Sequence, residues 1–295
     1  MDCMNRLYAG VELGGTKCIA LLTRGTDILD KAAWPTTTPD DVQAKLADYL
    51  RHHAQHVDAL GIASFGPLDL NPASRHFGYI TSTPKPGWSM VDVRSPLAAA
   101  LPCPTGFDTD VNAAGLAEGR WGAAQGCSVH AYITIGTGVG GGLIVGGRPV
   151  HGLIHPEIGH MRIRRVPGDD FGGVCPYHGD CLEGLVSGPA LAARFGQDPA
   201  QLPDGHPLWA AVAHDLAEFM ANLLLTVSPE RIVIGGGVAV ARPALLANVH
   251  RLTADCLSGY LHGITGERLA EIIVPAALGV NAGPLGAIAL AMDAV

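Results

Sequence analysis

No run of eighteen uninterrupted apolar residues occurs anywhere in the 295-residue chain, so no segment reads as a membrane-spanning helix. The opening Met1-Asp2-Cys3-Met4-Asn5-Arg6 lacks the basic-then-apolar layout of a signal peptide. Charge is sparse, at 16% of residues, and 19 Lys+Arg stand against 27 Asp+Glu for a formal net of −8. That balance argues against nonspecific attachment to nucleic acid or anionic membrane, though it does not address a local basic patch. Low-complexity linkers, charge blocks and helical solenoid repeats are also missing. What the chain has instead is apolar content, 48% by composition, with 39 Gly and 21 Pro. A chain this apolar has the means to offset its ordering entropy, which excludes disorder. At about 150 residues per domain, the length predicts two domains, each with its own core. A globular cytoplasmic enzyme is the expectation.

Seven cysteines is an odd number, and Cys3, Cys18, Cys103, Cys127 and Cys256 are scattered. Without a secretory signal they read as reduced thiols and not as a disulfide framework. Cys175-Pro-Tyr-His178-Gly-Asp-Cys181 is different, because three donors at even spacing on a turn-rich segment can wrap one ion. His160, upstream, can complete a tetrahedron, and a Cys2His2 set suits zinc best. Four protein ligands leave no open position, so such an ion would be structural. Two free thiols and a surface histidine is the competing reading.

Along the chain, Leu7 to Leu13 and Lys17 to Leu22 are apolar runs joined by Gly14-Gly15-Thr16, a hairpin whose glycines permit positive φ or close backbone approach. Thr38-Pro39-Asp40-Asp41 offers a capping-box-like start to a helix with Val42, Leu46 and Leu50 on one face. Leu60 to Gly66 is a strand ending in a glycine turn, so the first hundred residues run strand, strand, helix, strand, an α/β order. The pattern recurs later. Tyr132 to Ile135 is a strand, Gly136 to Gly142 a glycine loop, and Leu143 to Val145 a second strand. Trp209, Val212, Leu216, Phe219 and Leu223 form one apolar helical stripe. Arg231 to Gly237 is a buried strand entering a third glycine turn, and Leu285 to Met292 a buried helix. Two related α/β lobes follow from this order.

Gly136-Thr-Gly138-Val-Gly-Gly141 fits G-x-G-x-x-G, but a strand follows it where a dinucleotide fold needs a helix. Gly10 to Lys17 spaces its glycines like a Walker A loop, yet ends Thr-Lys and likewise lacks the helix. Both failures point to glycine turns within hairpins, whose N–H groups can form an anion nest and, as a pair, hold a triphosphate. Merely tight hairpins remain the alternative. Asp108-Thr-Asp110-Val-Asn112 supplies a carboxylate able to accept a hydroxyl proton, with Asp110 and Asn112 pointing one way if the stretch is extended. An Asx turn or helix N-cap is the other reading. Glu157, His160 and Glu183 add donors and acceptors of the kind a sugar pocket uses. Trp88 can pack on a sugar face or in the core.

Five blocks together resemble the ROK family (repressor, open reading frame, kinase), and most closely its bacterial fructokinase branch. They are Gly10 to Lys17, Phe107 to Ala113, Thr134 to Gly142, Glu157 to His160, and Cys175 to Gly184. The resemblance implies a two-lobed, actin-like, hexokinase-type (ribonuclease H-like) ATPase fold with an interdomain cleft. It implies a small lobe over 1–115 completed by a C-terminal helix over 283–295. A larger lobe over 116–282 would carry the metal loop 155–184. It further implies ATP-dependent phosphorylation of a hexose, fructose at its 6-hydroxyl, with mannose, glucose or an aminosugar as alternatives. Asp110 would be the base. Asn112, Glu157, His160 and Glu183 would line the sugar pocket, with Gly66 at its edge. Gly14, Gly15, Thr16 and Lys17, with Thr137 and Gly138, would hold the phosphates of ATP with Mg²⁺, and Gly236 and Gly237 would lie near adenosine. His160, Cys175, His178 and Cys181 would bind one structural Zn²⁺.

A homodimer is the family expectation, with neither nucleic acid nor membrane as partner. Two departures stand out. Glu12 replaces the Asp of many ROK kinases, which alters how a magnesium-bound water is held, although the fructokinase branch accepts Glu. His178 replaces one of three cysteines common around the metal, again as in the fructokinase branch. Sugar-sensing repressors of the family carry a helix-turn-helix domain ahead of the first glycine loop, for which the nine residues before Gly10 are too few. An oxidoreductase read from G-x-G-x-x-G would bind nicotinamide.

Overall fold

The computed structural model describes residues 6–53, 56–240 and 242–295, so Cys3 and the start of the chain lie outside the described residues. The elements in order are β1 (Leu7–Leu13), β2 (Lys17–Arg24), β3 (Asp27–Pro35), α1 (Pro39–His52), β4 (Ala59–Ser64), β5 (Tyr79–Ile80), β6 (Val91–Asp92), α2 (Ser95–Ala100), β7 (Thr105–Thr109) and α3 (Asp110–Trp121). They continue with β8 (Val129–Ile135), β9 (Val139–Val145), β10 (Arg148–Pro149), α4 (Leu182–Val186), α5 (Gly188–Phe195) and α6 (Leu208–Thr226). Last come β11 (Arg231–Gly235), α7 (Gly237–Val240), α8 (Pro243–Leu257), α9 (Gly266–Ile272), β12 (Ile273–Pro275) and α10 (Ala282–Asp293).

The chain divides into two units. The first takes Met1–Gly122, Arg148–Pro156 and Leu278–Val295, and the second Ala123–Gly147 and Glu157–Ala277. A boundary at 115/116 would cut α3, whose whole length lies in the first unit, and that unit also takes 148–156 from the segment expected in the larger lobe.

In the first unit the sheet order is β3-β2-β1-β4-β7, with β1 antiparallel to β2 and parallel to β4. Tyr8, Ala9, Val11 and Leu13 are all buried, so apolar residues stand on both sides of β1, interrupted only by Gly10 and Glu12, because both sheet faces are covered. One face packs Val42, Leu46 and Leu50 of α1 with Leu97 of α2. The other sets Ile288 and Ala291 of α10 against Tyr8, Leu21 and Ala59. Helix α10 is apolar nearly all round because it is held between this sheet and α3.

Three expectations for this unit change. A third strand, β3, precedes the helix; it is an exposed edge carrying Asp27, Asp30 and Lys31, and so lacks buried alternation. Thr38 is the N-cap of α1 but makes no side-chain cap bond, and Asp41 instead accepts from Thr37 Oγ1 and Lys45 Nζ. Neither hairpin glycine has positive φ: Gly14 serves close approach, since a Cβ there would lie 2.8 Å from the Lys17 carbonyl oxygen, while Gly15 has open space around it. Trp88 is fully buried, donates from Nε1 to the Thr37 carbonyl at 2.9 Å, and packs edge-on against Phe65. It is core.

The second unit repeats the design. Strand β9 pairs antiparallel with β8, β8 runs parallel to β11, and β11 parallel to β12. The expected glycine loop 136–142 shrinks to 136–138, because β9 begins at Val139 and Gly140, Gly141 and Gly142 pair with Thr134, Ile133 and Tyr132. Glycine is needed inside that strand, since a Cβ on Gly141 would fall 2.2 Å from Ile158 Cδ1. The predicted stripe of α6 is buried throughout. Among the described residues this helix alone has the length and apolarity to cross a membrane, and 67% of that stretch is buried inside the protein. Its Asp215 and Glu218 are buried on ion pairs with Arg194 and Arg164.

Candidate active site

Strand register places the first group of sequence-picked residues. Leu13 pairs with Ser64, and Ser64 with Thr109, so the ends of three parallel strands share one edge of the first sheet. The turn Gly14-Gly15-Thr16, the turn Phe65-Gly66-Pro67 and Asp110 all leave from that edge, where open α/β sheets bind ligands. The stretch around Asp110 is not extended. It opens α3, with Thr109 as N-cap accepting the Asn112 N–H at 3.1 Å, while Asp110 Oδ1 accepts the Val111 N–H at 2.9 Å.

Asp110 and Asn112 therefore diverge. Asn112 is 1% exposed and donates from Nδ2 to Asp108 Oδ1 at 2.7 Å. The other Asp108 oxygen pairs with His151 Nε2 at 2.9 Å, and this bond raises the imidazole above its usual value. His155 accepts the Leu68 N–H on Nε2 at 2.9 Å, and its burial lowers its pKa, which keeps that nitrogen an acceptor. Asp108 thus holds Asn112 in the first turn of α3 and pairs with His151, while His155 holds the chain just after Gly66; sequence reasoning found neither histidine.

Around the first glycine turn, the Gly14 N–H donates to Lys17 O, Thr36 Oγ1 to Gly14 O, and Lys85 Nζ to Gly15 O at 2.7 Å. Gly15, Thr16 and Lys17 themselves are exposed. Behind them Glu12 packs against Gly283, and burial first, then the Asp110 charge, pushes its carboxyl from 4.5 to about 7, with Lys17 and Lys31 opposing. Asp110 is pushed to about 6 by burial.

The raised Glu12 value has a consequence for stability. The folded state keeps a proton that the unfolded chain has released, so stability falls as pH rises from the unfolded value through about 7. Glu12→Gln is expected to stabilise the protein by roughly 1–3 kcal/mol at pH 8 and hardly at all at pH 5, allowing for screening of a partly exposed group. Thermal melts of both proteins at the two pH values check this; an equal offset at both would refute it.

In the second unit Thr134 pairs with Gly235, so the turns Gly136-Thr137-Gly138 and Gly236-Gly237 leave the same end of neighbouring parallel strands. Glu183 reaches this edge from α4, and its Oε2 accepts the Val139 N–H at 3.0 Å. Glu157, partly buried, precedes the short helix Ile158–His160. His160, Cys175, His178 and Cys181 converge, with their ligand atoms all within 4.8 Å of one another. His160 Nδ1 lies 3.4 Å from Cys181 Sγ and 3.7 Å from Cys175 Sγ, and His178 Nδ1 lies 3.6 Å from Cys175 Sγ. Zn–S of about 2.3 Å and Zn–N of about 2.0 Å at tetrahedral angles give S···N edges of about 3.5 Å, so the donor set fits zinc. The described cysteines are all free thiols.

A surface groove of about 540 Å³ lies elsewhere, lined by Lys31, Trp34, Lys45, Tyr49, His52 and His53 among others, and contains none of the sequence-picked residues.

The ROK family pattern matches residues 8–294. The chain belongs to the ROK family. A fructokinase from Zymomonas mobilis is 44% identical over 300 residues, covering 98% of this chain and 97% of that protein. Among solved structures, a ROK hexokinase from Thermus thermophilus superposes with TM-score 0.77 at 30% identity, covering 97% of each chain. A ROK glucokinase from Streptomyces griseus, solved in complex with glucose and AMPPNP, gives TM-score 0.74 at 26% identity, covering 97% of this chain and 99% of that one. The ROK fold here is thus the actin-like ATPase fold of these hexokinases, and the two strand-hairpin-plus-parallel-strand units are its two halves.

Proposed function

We propose that this ROK protein is an ATP-dependent fructokinase that transfers the γ-phosphoryl group of ATP to the 6-hydroxyl of D-fructose, with Asp110 as general base. The observation that carries the reading is the placement of Asp110. It is a carboxylate at the carboxyl edge of the first sheet, beside two turns, with its pKa raised to about 6. Such a group is ionised at neutral pH yet basic enough to accept the hydroxyl proton as the sugar oxygen attacks phosphorus. The Zymomonas relative's name supplies the choice of sugar.

Glu157, His160, Glu183 and the Gly66 turn bind the hexose hydroxyls in this reading. Asn112, buried on Asp108, serves by holding the start of α3 and not by touching sugar. Gly14 to Lys17 and the turn at Thr137 and Gly138 bind phosphate through N–H groups and the Lys17 ammonium. Gly236 and Gly237 border the adenosine. Magnesium, bound with ATP, would neutralise phosphate charge near Glu12. Zinc on His160, Cys175, His178 and Cys181 would be structural. The same reading carries a homodimer, two-fold pairing being the commonest closed assembly, working in the cytoplasm.

The test is ADP release from MgATP with a panel of fructose, mannose, glucose and aminosugars. Fructose is expected to give the highest kcat/KM. Turnover on another hexose alone would discard the choice of sugar, and no turnover in folded, metal-loaded protein would discard the kinase.

A further inference from the structure

We propose that Glu183 is the positioning residue of the turn Gly136-Thr137-Gly138, setting nucleotide affinity through its bond to Val139. This rests on the reading of that turn as a phosphate-binding element. The turn is closed on itself by Gly136 N–H to Gly138 O at 2.9 Å, and both of its ends are fastened by one short segment. At the far end Glu183 Oε2 accepts the Val139 N–H at 3.0 Å. At the near end the Gly188 N–H donates to Gly136 O at 2.7 Å. Within the segment, the Ser187 N–H donates to Glu183 O at 3.1 Å, so the two fastenings move as one piece.

Glu183 also fills the space a side chain on Gly138 would need, since a Cβ there would lie 2.7 Å from Glu183 Oε2. Glycine at 138 is thereby explained by the carboxylate beside it and not by an unusual backbone angle. A carboxylate carries two oxygens. With Oε2 on Val139, Oε1 is the oxygen left for other donors. A turn held in this way, with the Gly136 and Val139 N–H groups already bonded, offers those of Thr137 and Gly138 to phosphate in an ordered backbone. A turn that must order on binding loses affinity by the entropy of fixing its backbone.

The distinguishing feature of a positioning role is that reach matters and charge does not. Glu183→Gln keeps a carbonyl oxygen at the same distance, whereas Glu183→Asp keeps the charge but falls one methylene short of Val139. Calorimetric titration with the magnesium complex of AMPPNP, without sugar, is expected to give a Kd within about threefold of wild type for Glu183→Gln. Glu183→Asp should weaken binding roughly five- to tenfold, the scale of a lost hydrogen bond. The reverse order, with Gln weak and Asp like wild type, would overturn the proposal, as would two unchanged affinities.

Amide hydrogen exchange keeps failure of the proposal apart from failure of the underlying reading. If AMPPNP protects residues 136–139 in wild type while Glu183→Asp binds normally, the positioning role falls and the turn's assignment stands. If AMPPNP leaves those amides unprotected, the phosphate assignment falls first. Exchange of the free proteins supplies a readout that needs no ligand. The Val139 amide should exchange at least tenfold faster in Glu183→Asp than in Glu183→Gln, and equal rates would sink the proposed bond.

Discussion

Asp110→Asn is expected to lower kcat by roughly 10²–10⁴-fold, the span that general-base catalysis supplies, while hexose and nucleotide still bind. The amide fills the same volume, and its oxygen can still accept the Val111 N–H that orients Asp110 at the start of α3. What it cannot do is take a proton from the attacking hydroxyl. In the wild type the same requirement should set the acid side of the pH profile. The base must be ionised, so kcat/KM should fall about tenfold per unit once pH drops below about 6, where burial places the Asp110 carboxyl.

Glu12, pushed to about 7, feels the Asp110 charge and is still protonated where Asp110 gives up its proton. Glu12→Gln should therefore leave that limb close to its wild-type position, the amide being as neutral as the protonated carboxyl. Steady-state kinetics from pH 5 to 8 on the three proteins reads out all of this. An Asp110→Asn enzyme with unchanged kcat would remove the residue from the chemistry.

Much of this candidate site was legible in the sequence because its parts are local. The strands β1, β4, β8 and β11 stand out as apolar runs, each being buried on both faces, and each ends where glycine or a small polar residue begins a turn. Asp110, the two glycine hairpins and the Cys175-His178-Cys181 spacing all lie within single short segments, so reading along the chain finds them. The ROK blocks add the relation among segments that spacing alone does not give.

What stayed hidden is long-range. His151 reaches Asp108 from 43 positions away, and His155 reaches the Leu68 amide from 87. Neither histidine carries any local pattern; their meaning exists only once 148–156 is folded into the first unit. Two other misreadings have a different cause. Gly140 to Gly142 have the composition of a loop, but they are strand because Ile158 packs on Gly141 and leaves no room for a side chain. Edge strand β3 has the composition of a surface segment, and only its pairing with β2 makes it a strand. Asn112 was misplaced for a third reason. Two-apart spacing puts residues on one face of a strand but about 200° apart on a helix, and α3 begins at Asp110.

Metal removal should have the second-largest effect. Burial, followed by the neighbouring Cys175, pushes the Cys181 thiol up to about 11, so without a cation that buried thiol keeps its proton at pH 7. A bound Zn²⁺ would hold both thiolates ionised, and that binding energy is coupled to folding. Structure close to the cluster would depend on it directly. The Cys175 and Gly179 backbones bond to each other, the Leu182 N–H reaches Met161 O, and Glu183 follows two residues after Cys181. The intervening loop has separate support, since Arg194, only 4% exposed, holds both Asp169 and Asp215.

Chelation should therefore loosen the segment carrying Glu183 without unfolding the whole unit. The expected result is one zinc per chain by metal analysis, a melting temperature lowered by on the order of 10 °C after chelation, and sugar affinity weakened at least tenfold. Each should be restored by added Zn²⁺. Cys181→Ser, which removes a buried ligand, should reproduce the chelated state and resist rescue. Protein that is metal-free by analysis, yet melts and turns over like the wild type, would reduce the four residues to a cluster of free thiols and imidazoles.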